Sequence, residues 1–273
     1  MIYVLNIKAT NGCNLKCRGC SHHSQWATPS SCIDVDAMMD DISVIAKKLP
    51  LVGHVSLLGG EVLLEPRWSE LLTHIENNFT CQIRFYTNGL VLDKHIPQVI
   101  EHLKRGTDLR ISLHEPPHTP FGQRIFKNFN ALTDQYDHTG GNIIFSTNFM
   151  ELWSDTLQYD GQKVKPYNDN NIEESYKNCP CVNVQLYKGR LWKCAQTAYL
   201  KDVLHAFGQA DDPDWQEYLK YDGVSIHASD KELQAFYERQ YKPEWICNIC
   251  PSNGAFNPRE QDRRVKKIPI KQV

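Results

Sequence analysis

Three cysteines, Cys13, Cys17 and Cys20, spaced Cys-x3-Cys-x2-Cys, constrain this chain more than any other feature. They follow the apolar run Ile2 to Ile7, which places them on a loop after a first strand. A structural zinc site takes four ligands, and so does an ordinary cubane cluster. Three close thiols with no evident fourth point to an iron–sulfur cluster with one iron open to a small molecule. The competing reading is a zinc knuckle that borrows His22 or His23.

A second glycine-rich turn, Gly59-Gly60-Glu61, ends the apolar run Val55 to Leu58. With the two motifs in this order, the sequence resembles the radical S-adenosylmethionine (SAM) superfamily. The resemblance implies that Cys13, Cys17 and Cys20 hold a [4Fe–4S] cluster whose fourth iron is chelated by the amino and carboxylate groups of SAM. One electron from the cluster then breaks a C–S bond, and the 5′-deoxyadenosyl radical abstracts a substrate hydrogen. By the same resemblance, Gly59, Gly60 and Glu61 line the methionine amino group of SAM, and a flavodoxin or ferredoxin donates the electron. The residue before the third cysteine is usually aromatic and packs near the adenine; here it is Gly19, so adenine packing falls to other residues.

Downstream, apolar runs and helical periodicities alternate. Helices are expected over Asp34 to Leu49, Glu65 to Phe79, Asp93 to Lys104 and Phe121 to Tyr136. Strands are expected over His54 to Leu58, Gln82 to Tyr86, Leu109 to Leu113 and Asn142 to Asn148. This β-α-β-α order predicts an α/β fold with parallel strands and crossover helices, a partial (βα)5–6 barrel of triosephosphate-isomerase type. In such barrels chemistry sits at the carboxyl ends of the strands. Asn88, Ser112 and Asn148 stand there as candidate SAM contacts, and His114 with Glu115 as a candidate acid–base pair. His22, His23, Gln25 and Trp26 follow the cysteine loop and are candidate substrate contacts. Asp155 to Asn171 lacks apolar periodicity and reads as a long irregular connection. The expected division is a barrel over 1–165 and a small α+β domain over 166–273.

Five cysteines fall in that second part: Cys179, Cys181, Cys194, Cys247 and Cys250. Val182 to Tyr187 and Arg190 to Lys193 flank Lys188-Gly189 and read as a β-hairpin in which Tyr187 pairs with Arg190. Cys179 and Cys181 then share a sheet face with Cys194, Cys181 one diagonal step away at roughly 7 Å. Cys179 reaches the set only through a bend, which Pro180 can supply. With Cys247 and Cys250, either one completes four thiolates. The set resembles the twitch domain, a short relative of the SPASM domain, whose pattern is Cys-x9–15-Gly-x4-Cys followed by a cysteine pair. Cys179 meets the first spacing at x9 and Cys181 falls short at x7, so geometry favours Cys181 and the pattern favours Cys179. The resemblance implies a second, fully protein-ligated [4Fe–4S] cluster; four thiolates can equally hold structural zinc. Cys32 and Cys81 lie outside both sets. Gln196 to Phe207, Trp215 to Tyr221 and Asp230 to Gln240 read as packing helices.

Composition narrows the function. The net charge of −2 gives no general pull toward nucleic acid, and the basic run Arg263-Arg264-Val265-Lys266-Lys267 reads as a solvated tail. No stretch of 18 apolar residues spans a membrane. The first residues enter a strand at once, without a signal-peptide pattern, and ten cysteines then imply metal or redox chemistry in a cytoplasmic protein. Two clusters suit oxidation, because the second can accept the electron that a substrate radical loses. The chain resembles aminocyclitol dehydrogenases of the radical SAM type, which implies dehydrogenation of a small polar, sugar-like substrate. The alternatives are isomerisation or bond formation on a nucleotide, nucleobase or peptide, and a zinc-stabilised protein without catalysis. A peptide modifier often carries an additional recognition domain, for which residues 1–12 leave no room.

Overall fold

Alternation along the first strands decides how the sheet is used. In β1 (Ile2–Lys8) and β2 (Val52–Leu58), Leu5, Ile7, Val55 and Leu57 are wholly buried, while Asn6, Lys8, His54 and Ser56 take the other parity. Successive strand residues face opposite sides of a sheet. One face is therefore apolar and packs under helices, and the other is polar. The computed structural model describes residues 2–49, 52–147, 152–179, 181–258 and 266–272.

After β1 come α1 (Val35–Ile45), β2, α2 (Trp68–Asn78), β3 (Gln82–Thr87), α3 (Ile96–Lys104), β4 (Asp108–Ser112), α4 (Pro120–Thr133) and β5 (Ile143–Ser146). Helix α1 starts where the Asp34 carboxylate accepts from the Ala37 N–H at 3.0 Å, and turns Val35, Met38, Ile42 and Ile45 inward. Burying each such aliphatic side chain contributes roughly 1.5–3 kcal/mol. Helix α2 begins at Trp68 because a short 3₁₀ turn, Val62–Leu64, capped by Glu61, occupies the preceding residues.

Beyond β5 lie β6 (Leu152–Ser154), β7 (Gln158–Tyr159), β8 (Val164–Lys165), α5 (Ile172–Lys177), β9 (Val184–Tyr187), β10 (Arg190–Trp192), α6 (Ala195–Ala206), β11 (Val224–Ser225), α7 (Asp230–Arg239) and β12 (Phe256–Pro258). Strands β1 to β5 run parallel in chain order, β9 adds to the free edge of β1 in the same direction, and β10 and β11 follow antiparallel. The eight-stranded order is β11-β10-β9-β1-β2-β3-β4-β5, a mostly parallel α/β sheet that forms a partial barrel. The expected hairpin register, Tyr187 opposite Arg190, is present, with Lys188 and Gly189 both at positive φ as a tight two-residue turn requires. Because β9 pairs with β1, this sheet runs across the 165/166 boundary expected from sequence.

Three elements differ from expectation. Trp215 to Tyr221 is two short 3₁₀ turns, Pro213–Trp215 and Tyr218–Lys220, because Trp215, Tyr218 and Tyr221 anchor separately in the core. The irregular stretch from Asp155 contains the small β7–β8 hairpin. Lys267 is not a free tail residue: it is half-buried, and its ammonium donates to the carbonyls of Cys13 and Ala27, each at 2.8 Å. Arg263 to Val265, Asn148 and Pro180 lie outside the described residues.

Candidate active site

The cysteine loop is built into the fold. Cys13, Leu15 and Cys17 are buried together, packed against Leu90 and Phe121. The Leu15 N–H donates to Cys13 Sγ at 3.4 Å. Burial pushes the Cys13 thiol up, and the nearby Glu61, Cys17 and Cys20 push the same way. A thiol raised in this manner gives up its proton to solvent readily only when a bound cation takes the proton's place, so metal uptake and deprotonation are coupled here. Gly19 has φ +69°, and a Cβ there would stand 2.9 Å from Ser154 O and 3.2 Å from Trp153 Cβ. Strand β6 passes directly over it, which is why this position carries glycine.

Behind the loop lies the Gly59-Gly60-Glu61 turn. Gly60 N–H donates to Thr10 O at 2.9 Å, Glu61 N–H to Gly12 O at 2.8 Å, and a Cβ on Gly60 would fall 1.8 Å from Gly12 O. The two motifs are thus backbone to backbone. Loop and turn form one wall of a cavity of about 360 Å³ lined by Cys13, Cys17 and Cys20 together with Gly59 and Gly60. The strand ends complete it with Tyr86, Thr87, Asn88, Ser112, His114 and Ser146, and Trp153 of β6 closes one side.

Glu61 stands behind that wall. It is fully buried, and its carboxylate accepts from Leu63 N–H (3.1 Å), Thr87 Oγ1 (2.6 Å) and Asn88 N–H (2.7 Å). Burial raises its pKa while these three donors pull it down. Its observed work is to tie β2 to the end of β3. Asn88 lines the cavity, with its amide group donating to Asn14 Oδ1 at 2.7 Å. Of the pair expected after β4, His114 lines the cavity and Glu115 does not.

The second cysteine set also converges. Cys179, Cys181, Cys194, Cys247 and Cys250 line one pocket, walled by Val182, Ile246 and Ile249. They come from the end of α5, the approach to β9, the start of α6 and the 3₁₀ turn Trp245–Ile249. Burial pushes Cys194 up to about 12 and raises Cys247 and Cys250 as well. Cys179 is drawn down, to about 7, by hydrogen bonding from Cys181, which the same contact and burial raise. The thiols ring the pocket rather than meet at a point: among the described residues no three His, Cys, Asp or Glu side chains are placed to hold a single metal ion.

Between the two sites lies a cavity of about 190 Å³. It shares Ser21, His22, Leu58 and Tyr86 with the first cavity and Cys181 with the cysteine pocket. Its remaining polar lining is Asn6, His54, Ser56, Asn183 and Gln185. Burial, then the charges of Arg84 and Arg110, lowers His54 to about 4, so its imidazole is neutral at neutral pH. None of these five was singled out from sequence; the available signal was the shared parity of Asn6, His54 and Ser56, aligned by the register Asn6↔Ser56 and Val4↔His54. The expected substrate contacts divide. His22 lines both cavities, His23 is buried against Trp26 (ring centroids 5.5 Å apart), and Gln25 and Trp26 line a separate cavity of about 360 Å³ beside the Arg18–Asp155 ion pair.

Among the described residues, no helix is long and apolar enough to cross a membrane. Comparison with known proteins bears on the first site. None of the curated proteins matches the chain. Two similar solved structures are BtrN in complex with AdoMet and 2-DOIA (14% identity, 92% of this chain and 93% of that one, TM-score 0.49) and native anSMEcpe with bound AdoMet (20% identity, 52% and 43%, TM-score 0.38). Residues 7–134, which carry the end of β1, the cysteine loop, the Gly-Gly-Glu turn and strands β2 to β4, match the model of the radical SAM superfamily.

Proposed function

We propose that the protein dehydrogenates a small polar substrate, sugar-like or aminocyclitol-like, held in the cavity between its two cysteine sites. The observation that carries this reading is the shared lining: Tyr86 and His22 on the SAM side and Cys181 on the other. A molecule there would touch the walls of both sites. Its uncharged hydrogen-bonding lining, Asn6, Ser56, Asn183 and Gln185, suits hydroxyl or amino groups better than a nucleotide phosphate.

Cys13, Cys17 and Cys20 would hold the SAM-binding [4Fe–4S] cluster, and Cys181, Cys194, Cys247 and Cys250 a second one, with Cys179 as the spare thiol of the set. The donor sets fit. The first offers three buried or half-buried thiols that open onto a cavity, and the second an all-thiol ring. When bound, these groups supply a hydrogen-abstracting radical from SAM and a one-electron acceptor. The protein's own residues do the placing. Gly59 and Gly60 keep side chains out of the cavity wall, and Asn88 and Ser112 offer polar groups to SAM. Trp153 presents the aromatic face that Gly19 lacks. His22, common to both cavities, stands where a substrate hydroxyl proton would leave, and His114 is the acid–base candidate on the SAM side. A flavodoxin or ferredoxin would deliver the electron.

The test is anaerobic incubation of the iron-loaded protein with SAM, dithionite and a panel of aminocyclitols and sugars. The expected result is 5′-deoxyadenosine together with a product lighter by two hydrogens. A product of unchanged mass would replace dehydrogenation by isomerisation.

A further inference from the structure

We propose that Lys267 is a positioning residue for the SAM-binding cluster: it clamps the backbone that carries Cys13 and sets a positive charge beside the three thiolates, making the cluster easier to reduce. This rests on the reading of Cys13, Cys17 and Cys20 as cluster ligands. Segment 266–272 runs along the chain that follows the cysteine loop. Ile268 N–H donates to Trp26 O at 2.7 Å, Thr28 N–H to Ile268 O at 3.0 Å, and Ile270 N–H to Ser31 Oγ at 3.1 Å. Ile270 is buried, and Gln272 accepts from Asp34 N–H at 3.1 Å.

This strap delivers one side chain to the back of the loop. Lys267 Nζ donates to Cys13 O and Ala27 O at 2.8 Å and to Ser24 O at 3.4 Å. Three carbonyls around one nitrogen use three N–H groups, the number an ammonium has and an amine lacks. One carbonyl belongs to the first cysteine and two to the segment after the third, so the ammonium cross-links both ends of the loop. One-electron reduction takes a [4Fe–4S]²⁺ core with three thiolates from one net negative charge to two. Lys267 is half-buried and interacts electrostatically with Cys13, Cys20 and Cys17; a cation fixed there stabilises the more negative state.

The experiment compares the iron-loaded wild type with Lys267→Met, Lys267→Gln and Lys267→Arg. The electron paramagnetic resonance signal that changes on SAM addition is followed through a redox titration. In the metal-free proteins, hydrogen exchange is read over 24–32 and 266–272. Loss of the charge in Met and Gln is expected to lower the equilibrium constant for reduction at least tenfold, about 59 mV for one electron. Arg is expected to stay near wild type. Exchange in the metal-free Met variant is expected to rise at least tenfold in both segments. Met and Gln variants with wild-type potential and exchange would overturn the proposal. If Met fails to load iron, Gln alone decides: it keeps donors without the charge, and an unshifted potential overturns the electrostatic role. A wild type with no SAM-responsive signal would instead sink the cluster assignment itself.

Discussion

The two cysteine sites share a ligand type and differ in everything around it. The first draws its thiols from one loop and opens onto about 360 Å³ bordered by polar strand ends. The second gathers thiols from separate elements around a pocket with about 20 Å³ free, walled by isoleucine and valine. An open coordination position beside a cavity suits a site that binds and transforms a small molecule, whereas a closed apolar ring suits one that only passes charge. The fold sets this contrast. The first loop sits at the carboxyl end of β1, where parallel α/β folds place chemistry, and the second lies off the sheet beside α5 and α6.

Removing one thiol from each site should break the contrast most sharply. Cys17→Ala is expected to abolish 5′-deoxyadenosine formation while leaving about half the iron bound. Cys194→Ala should likewise lose about half the iron yet retain SAM binding, and yield no product lighter by two hydrogens. Within the second ring, Cys181→Ala should behave as Cys194→Ala does, and Cys179→Ala should keep its full iron. Iron analysis and product mass spectrometry read all four. Equal loss of SAM cleavage in Cys17→Ala and Cys194→Ala would show that the sites are not divided as proposed.

A smaller effect separates the walls of the two sites. Glu61 holds three donors from behind the SAM cavity, and two of them, Thr87 and Asn88, belong to residues that line it. Glu61→Gln would present an amide N–H₂ to one of these donors. The expected cost is about 1–3 kcal/mol in urea unfolding, with weaker SAM binding and unchanged iron at the second site. Wild-type SAM affinity in this variant would mean that the Glu61 contacts do not shape the cavity.

Much of this was legible in the sequence, for reasons that can be named. The loop thiols are close in sequence, so spacing alone reported them. Helix α1 carries its cap and its apolar stripe locally, and the Lys188-Gly189 turn fixed the register of β9 and β10. The middle cavity was not legible. Asn183 and Gln185 reach it only because β9 pairs with β1, a contact between distant segments that no local pattern announces. The polar parity of Asn6, His54 and Ser56 was present but masked, since Ile2, Val4, Val52 and Leu58 share that parity and make both strands look continuously apolar. Trp153 and Lys267 arrive at the cysteine loop from far along the chain, and their neighbours in sequence suggest a connection and a solvated run.

Acid should also discriminate between the sites, through His23. This imidazole is 1% exposed, and burial, then the charge of Lys8, lowers it to about 3. An unfolded histidine titrates near 6.5. Between about 6.5 and 3 the unfolded chain therefore binds a proton that the folded one does not, and stability falls as pH falls through that window. The slope from one such group is at most about 1.4 kcal/mol per pH unit. His23 has φ +58°, a conformation asparagine tolerates, so His23→Asn removes the titration with little backbone cost. Urea unfolding between pH 4 and 6.5 should show a shallower decline in the variant than in wild type. The lining of the second cysteine pocket contains no histidine among the described residues, so on acidification amide protection factors, taken relative to intrinsic exchange at each pH, should fall first around residues 20–28 and later around 194–206. The reverse order would place the acid-sensitive element at the closed site and remove His23 from the account.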